Sequence, residues 1–212
     1  MAEAHPRAPH PLPVGVLVSG AGTNLQALLD TVHGAEAEIV AVASSSPQAA
    51  ALARAQQRGI ETATFARAEH GDRGQRDRAL AEWLLARGAR LVVLAGYMEL
   101  LSEEFLARFE QGVINVHPSL LPAFPGLGAI EQALSYGVKV FGVTVHFVDG
   151  GIDSGPVILQ AALELPDADG APQVLRALRP LEHALLPEAV RLIAAEKLRR
   201  DPQNPRRVLT GG

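Results

Sequence analysis

The feature that most constrains this chain is a rhythm. From residue 14 to about residue 136, short unbroken apolar runs alternate with amphipathic stretches. Runs such as Val14-Gly15-Val16-Leu17-Val18 and Leu91-Val92-Val93-Leu94 have no polar side, which suits parallel strands covered by helices on both faces. The pattern predicts strands over 14–19, 38–44, 62–66, 91–96 and 113–116, and helices over 24–33, 47–58, 72–87, 103–111, 129–136 and roughly 172–197. In the first helix, Leu25, Leu28, Leu29 and Val32 fall at i, i+3, i+4 and i+7, behind a Thr23 or Asn24 cap and ahead of Gly34. After residue 140 the rhythm changes. Two strand-like runs, 141–149 and 156–165, are separated only by a glycine-rich turn, too short for a parallel crossover, so this part of the sheet is expected to be antiparallel. The expected fold class is α/β: one Rossmann-like domain, mostly parallel, with an antiparallel part in the C-terminal half.

At 212 residues the chain is long enough for one large core, and no linker or internal repeat divides it. Residues 1–13 hold four prolines and read as a loose leader, 14–198 as the domain, and 199–212, with two prolines and four arginines, as a solvated tail. A net charge of −4 gives no broad basic surface for nucleic acid. The absence of cysteine excludes disulfides, thiolate catalysis and Cys-ligated zinc. No apolar run nears the roughly 20 residues of a membrane-spanning helix and no signal-like start is present, so a cytoplasmic protein without membrane contact is expected.

Three segments carry chemistry. Ser19-Gly20-Ala21-Gly22-Thr23-Asn24-Leu25 lies between the first strand and first helix, where glycines admit an anion to the helix N-terminus and its free N–H groups. It is not a dinucleotide fingerprint: the third glycine position holds Leu25, and the second strand ends in Ser44-Ser45-Ser46 where a ribose-binding acid would stand. A small phosphorylated substrate fits it better than a bare structural turn does. In Asn115-Val116-His117-Pro118-Ser119-Leu120-Leu121-Pro122, strand alternation puts Asn115 and His117 on one side at a strand's carboxyl end. An amide donor beside an imidazole suits acyl transfer, the amide facing a developing oxyanion and the imidazole moving a proton. The third segment, Val145-His146-Phe147-Val148-Asp149-Gly150-Gly151-Ile152-Asp153-Ser154-Gly155-Pro156, supplies two loop carboxylates, one of which can orient His117. His117 and His146 have no third ligand and no HExxH spacing, so no metal site is expected. With no Gly-x-Ser-x-Gly elbow, Ser119 reads as structural.

Together, Ser-Gly-Ala-Gly-Thr-Asn-Leu at 19–25, Val-Leu-Ala-Gly-Tyr-Met at 93–98, Asn-Val-His-Pro-Ser-Leu-Leu-Pro at 115–122 and Asp-Ser-Gly-Pro-Val-Ile at 153–158 closely resemble the phosphoribosylglycinamide formyltransferases of purine biosynthesis. The likeness runs in order from Val14 to about Ile193. It implies transfer of a formyl group from 10-formyltetrahydrofolate to the amine of glycinamide ribonucleotide, by direct attack and without a metal. The resemblance implies Asn115, His117 and Asp153 as the catalytic set. It implies Gly22, Thr23, Asn24 and Leu25 for the substrate phosphate and Glu182 for its ribose. The folate is expected on Arg73, Met98, Glu99, Leu100, Leu101, Asn115 and the loop Asp149, Gly150, Gly151, Ile152 and Asp153. Two positions depart from the pattern: Glu99 stands where relatives often carry Arg, and Gly128 where a His or another polar residue is frequent.

The implied partners are these two small molecules, in a monomer or homodimer. Alternatives are a formyltetrahydrofolate deformylase, which normally carries an N-terminal regulatory domain, and a non-catalytic nucleotide sensor, which would have no use for Asn115, His117 and Asp153 together.

Overall fold

The computed structural model describes residues 10–109 and 112–211. Nine strands form a sheet in the order β3-β2-β1-β4-β5-β6-β7-β9-β8. The first half alternates as expected: β1 (Leu12–Val18), α1 (Thr23–Thr31), β2 (Ala37–Ser44), α2 (Ala50–Gln57), β3 (Glu61–Thr64), α3 (Arg73–Leu85), β4 (Leu91–Leu94), α4 (Glu103–Leu106) and β5 (Val113–His117). These five strands pair in parallel. β1 and β4 are apolar on both sides because both faces are covered, whereas the edge strand β3 is polar and only partly buried. Val14, Val16 and Val18 of β1 join a core shared with α1, α2 and α6, whereas Leu17 joins a second core shared with α3 and α4.

The second half is antiparallel, again as expected. After α5 (Ala129–Tyr136), β6 (Val140–Phe147) pairs antiparallel with β5 and with β7 (Val157–Glu164). The long α6 (Ala171–Ala194) then packs on α1 and β6, burying Val174, Leu178, Leu186 and Val190 at helical spacing. No described helix is long and apolar enough to cross a membrane.

Four local expectations differ from the structure. The solvated tail from residue 199 is instead a hairpin of β8 (Leu198–Asp201) and β9 (Asn204–Thr210), bridged to β7 where Val157 pairs with Arg207. Its strands carry arginines because they are exposed, which hides the alternation a half-buried strand would show. β1 begins at Leu12, inside the segment expected as a leader, and residues 1–9 lie outside the described residues. The helix expected over 103–111 closes after one turn at Leu106, and residues 110 and 111 lie outside the described residues. Neither Thr23 nor Asn24 caps α1. Its N-cap is Gly22, in the left-handed conformation at φ 74°.

The strand order reverses at the β1/β4 boundary, with α1 leading away on one side and α4 on the other. A sheet of this kind opens a crevice at that boundary, outside the carboxyl ends of its strands. The turn after β1, the loop after β4 and the end of β5 all lie there.

Candidate active site

At the end of β1 the chain turns into α1 with no side-chain cap among the described residues. The Gly22 carbonyl accepts from Gln26 N at 2.9 Å, so the first-turn N–H groups of Thr23, Asn24 and Leu25 precede the helix ladder. Only glycine fits position 22. A Cβ there would meet the Ala51 Cβ at 2.5 Å and its Cα at 2.8 Å, on a backbone at φ +74°. Arg54 Nε donates to the Ala21 carbonyl at 2.9 Å and steadies the turn from α2. The result is a helix N-terminus presenting backbone donors and a positive dipole end to the crevice.

Glu182 reaches the same place from α6. It stands in the buried stripe of that helix, four residues from both Leu178 and Leu186, and accepts from Asn24 Nδ2 at 3.0 Å. A carboxylate at a core position of an amphipathic helix is the signal that periodicity alone offered for this residue. The neighbouring His183 ring is pushed below its usual pKa by burial, which outweighs the nearby Glu182 charge.

Across the crevice, β5 and β6 pair in register, Asn115 opposite His146 and His117 opposite Thr144, which brings the four side chains to one face. His117 is 5% exposed. Its Nδ1 lies 3.2 Å from Asp153 Oδ2, and its Nε2 lies 2.9 Å from the Phe124 carbonyl oxygen. Both partners are acceptors. A doubly protonated ring satisfies both, whereas a neutral ring would turn a lone pair against one oxygen. The His146 Nδ1 faces its neighbour's carbonyl, Phe147 O, at 2.9 Å, and its Nε2 lies 3.2 Å from Asn115 Nδ2.

Asp153 closes the cluster. Burial by itself would raise its carboxyl pKa. The facing His146 ring, the Gly126 N–H and the His117 charge outweigh burial and hold it below the usual carboxylate value. His146 Nε2 is 3.6 Å from Asp153 Oδ1, long for a hydrogen bond, so the Gly126 N–H at 2.7 Å is the firmer hold. Of the three non-glycine residues with positive φ among those described, two flank His117: Phe124 at 53° and Asp153 at 47°. One aims its carbonyl at the ring and the other its carboxylate, and strained backbone of this kind collects at functional sites.

The loop 149–155 that carries Asp153 is tied from within. Asp149 Oδ1 accepts from Gly151 N at 3.1 Å and from Ser154 Oγ at 2.6 Å, so the second loop carboxylate shapes the turn. Ser119, read as structural, donates its hydroxyl to the Ala123 carbonyl, while its own carbonyl accepts from Thr144 Oγ1 at 2.7 Å.

Of the positions expected for the folate, Met98, Glu99, Leu100 and Leu101 form the loop after β4. The loop 149–155 lies close by: a Cβ on Gly150 would come within 2.5 Å of Glu103 Oε1 at the start of α4. Met98, Leu100 and Ile152 are more than half exposed, presenting apolar surface at this end of the crevice. Arg73 stands exposed at the start of α3. The guanidinium that contacts the 98–101 loop belongs instead to Arg76, which the sequence reading passed over. His146 was also passed over as a member of this cluster. Its place opposite Asn115 becomes visible only once the β5/β6 register is known. Gly128, the second departure, is the N-cap of α5 at φ 68°, a conformation that glycine adopts without strain.

A crevice with backbone donors at one end, an Asn/His/Asp cluster in the middle and an apolar ledge at the other fits an enzyme that acts on small molecules. Residues 13–190 match the family model described as formyl transferase, and the chain belongs to that family. Its similarity covers nearly the whole length of some relatives and a small part of others. It is 42% identical to glycinamide ribonucleotide transformylase 1 from Symbiobacterium toebii, with a TM-score of 0.91 and 99% of each chain covered. It is 36% identical to the phosphoribosylglycinamide formyltransferase of Haemophilus influenzae, over 88% of this chain and 89% of that protein. It is 39% identical to the trifunctional purine biosynthetic protein adenosine-3 of Drosophila melanogaster over 85% of this chain, and there the chain spans only 14% of its relative.

Proposed function

We propose that the protein transfers the formyl group of 10-formyltetrahydrofolate to the amine of glycinamide ribonucleotide, in the cytoplasm, as a step of purine synthesis. The observation that carries this reading is the meeting of Asn115 and Asp153 about the buried His117, between the α1 N-terminus and an apolar ledge. The ribonucleotide phosphate lies on the N–H groups of Thr23, Asn24 and Leu25, and its ribose meets Glu182. The pterin rests against Met98, Leu100 and Ile152, with Arg73 at hand for the anionic tail.

The amine nitrogen attacks the formyl carbon and a C–N bond forms. The carbonyl oxygen takes the negative charge, and the Asn115 amide donates to it together with the His117 Nε2–H, which must first leave the Phe124 carbonyl oxygen. The attacking nitrogen loses a proton and the folate nitrogen gains one as its bond to the formyl carbon breaks. The products are the formylated ribonucleotide and tetrahydrofolate. Asp153 keeps His117 charged and relays the proton.

Steady-state assay with both substrates tests the reading. Turnover requiring the ribonucleotide is expected. Consumption of the formyl-folate at the same rate without ribonucleotide would establish a deformylase, and nucleotide binding with no turnover a sensor.

A further inference from the structure

Outside the Asn/His/Asp cluster, the largest fully buried side chain among the described residues is a charged one, Arg76 in the first turns of α3. It is 1% exposed, and its donors are spent on three partners. Nε and Nη2 donate to Asp77 Oδ1 at 3.0 and 2.7 Å, Nη1 to Glu99 Oε2 at 2.8 Å, and Nη2 also to the Leu100 carbonyl at 2.9 Å. Asp77, equally buried, uses its other oxygen to accept from Ser102 N at 2.7 Å. On the far side, Ser19 Oγ accepts from Met98 N at 3.0 Å and pairs with Ser45 Oγ at 2.7 Å.

The segment from Met98 to Ser102 belongs to no helix or strand, yet side chains hold its backbone at residues 98, 100 and 102. The same segment leaves Met98 68% and Leu100 56% exposed. For folding alone this is a poor arrangement, because a guanidinium is taken out of water to fix a loop whose apolar side chains stay in it. It fits a ledge made rigid in advance for a flat apolar ligand, since ordering the loop beforehand removes that cost from binding.

We propose that Arg76 is a positioning residue for the formyl donor: through Leu100, Glu99 and Asp77 it fixes the backbone of residues 98–102 as the ledge that receives the folate ring. Glu99, which departs from the family's usual Arg, is in this chain the outer anchor of that clamp. The inference deepens the formyl-transfer reading and rests on it for the identity of the ligand.

The test varies each substrate separately for the full-length protein and its R76M, R76K and E99A variants, with folding checked by circular dichroism. For R76M, the KM for 10-formyltetrahydrofolate should rise about tenfold or more, the scale of losing hydrogen bonds from a charged group. The KM for the ribonucleotide and kcat at saturation should stay within about twofold, because Arg76, Asp77 and Glu99 contact neither residues 22–25 nor His117, and the loop meets the β1–α1 turn only through Ser19. R76K should fall between R76M and the parent, and E99A, which strips only the outer anchor, should raise the folate KM by about two- to fivefold. Unchanged folate KM in folded variants, or equal shifts in kcat and both KM values, overturns the proposal. If R76M does not fold, R76K and E99A decide by the same criteria. If the parent shows no turnover, the formyl-transfer reading fails by itself. Calorimetric titration with tetrahydrofolate then decides: tight binding by the parent that R76K weakens supports the clamp, and equal binding by both, or none by the parent, overturns it.

Discussion

Two neighbouring parts of the crevice are built from different materials. At the β1–α1 turn the donors are backbone N–H groups, and the side chain that matters most is one that is missing, the Cβ of Gly22. At β5 and β6 the backbone is ordinary strand and the chemistry is in side chains: Asn115, His117 and His146 on two paired strands, facing Asp153 on a loop. A backbone site depends on the fold, so its substitutions should appear as lost stability together with weakened binding. A side-chain cluster held by its own strands can lose its chemistry while the fold stands.

The sharpest test of that contrast is at His117 and Asp153. His117→Ala should lower kcat by on the order of 10²–10³, the usual cost of removing an oxyanion donor, and Asp153→Asn should cost at least as much. In both variants the melting temperature should stay within a few degrees, measured by calorimetry beside steady-state rates. A fall of less than about tenfold in either would move the chemistry elsewhere.

Asp153 also ties this cluster to pH. Its folded pKa lies below the ordinary carboxylate value, so its ionised form contributes stability above an unfolded pKa of about 4 that is lost as pH falls through the folded value. Urea denaturation from about pH 6 down to about pH 3 should show this loss, and Asp153→Asn should flatten that part of the curve. Activity should fail over the same acid range, because a protonated Asp153 carboxyl can no longer take up the proton that the attacking amine loses.

Gly22→Ala probes the backbone part. The new methyl would sit 2.5 Å from the Ala51 Cβ on a backbone at φ +74°, combining steric overlap with left-handed strain. A loss of about 2–4 kcal/mol in unfolding free energy is expected. The KM for the ribonucleotide should rise with it, and kcat should change less than in His117→Ala. A stable Gly22→Ala protein with normal KM would refute the backbone site. Glu182→Gln should act more gently, raising the ribonucleotide KM by about tenfold, since Gln keeps the shape but loses the charge that accepts from Asn24.

How much of this was legible in the sequence follows the same division. The β1–α1 turn could be read directly, because glycines between a buried strand and an amphipathic helix carry their geometry in their spacing. The parallel order of the first five strands followed from runs such as Leu91–Leu94 that leave no polar face. Asn115 and His117 could be placed on one side of a strand, but their meeting with His146 depends on a cross-strand register that no local pattern encodes. Arg76 was invisible for another reason: an arginine in an Arg-rich helix reads as solvated, and only tertiary packing buries it between Asp77 and Glu99. In the tail, Asp201-Pro202-Gln203-Asn204 is a turn signal, and Asp201 Oδ1 does accept from Gln203 N at 2.9 Å. The flanking arginines masked the strands, one of them with its guanidinium 5.3 Å from the centre of the Phe147 ring.

That hairpin supplies the smallest expected effect. Arg206 on β9 donates to the Ser154 carbonyl, one residue from Asp153, and lines with Asp153, Pro122 and Pro125 a concave pocket on the outer side of the loop. Proximity alone would make it a support for the Asp153 carboxylate. The loop, however, is already fixed by Asp149 from within and by Gly126 N at the carboxylate itself, and a further Cβ at Gly155 would strike the Phe147 carbonyl, so the chain there is closely packed without help from β9. An exposed hydrogen bond added to such a loop contributes on the order of 1 kcal/mol or less. Arg206→Ala should therefore leave kcat and both KM values within about twofold and stability within about 1 kcal/mol. A tenfold fall in kcat without loss of stability would show instead that the hairpin, and not the loop's own hydrogen bonds, holds Asp153 against His117.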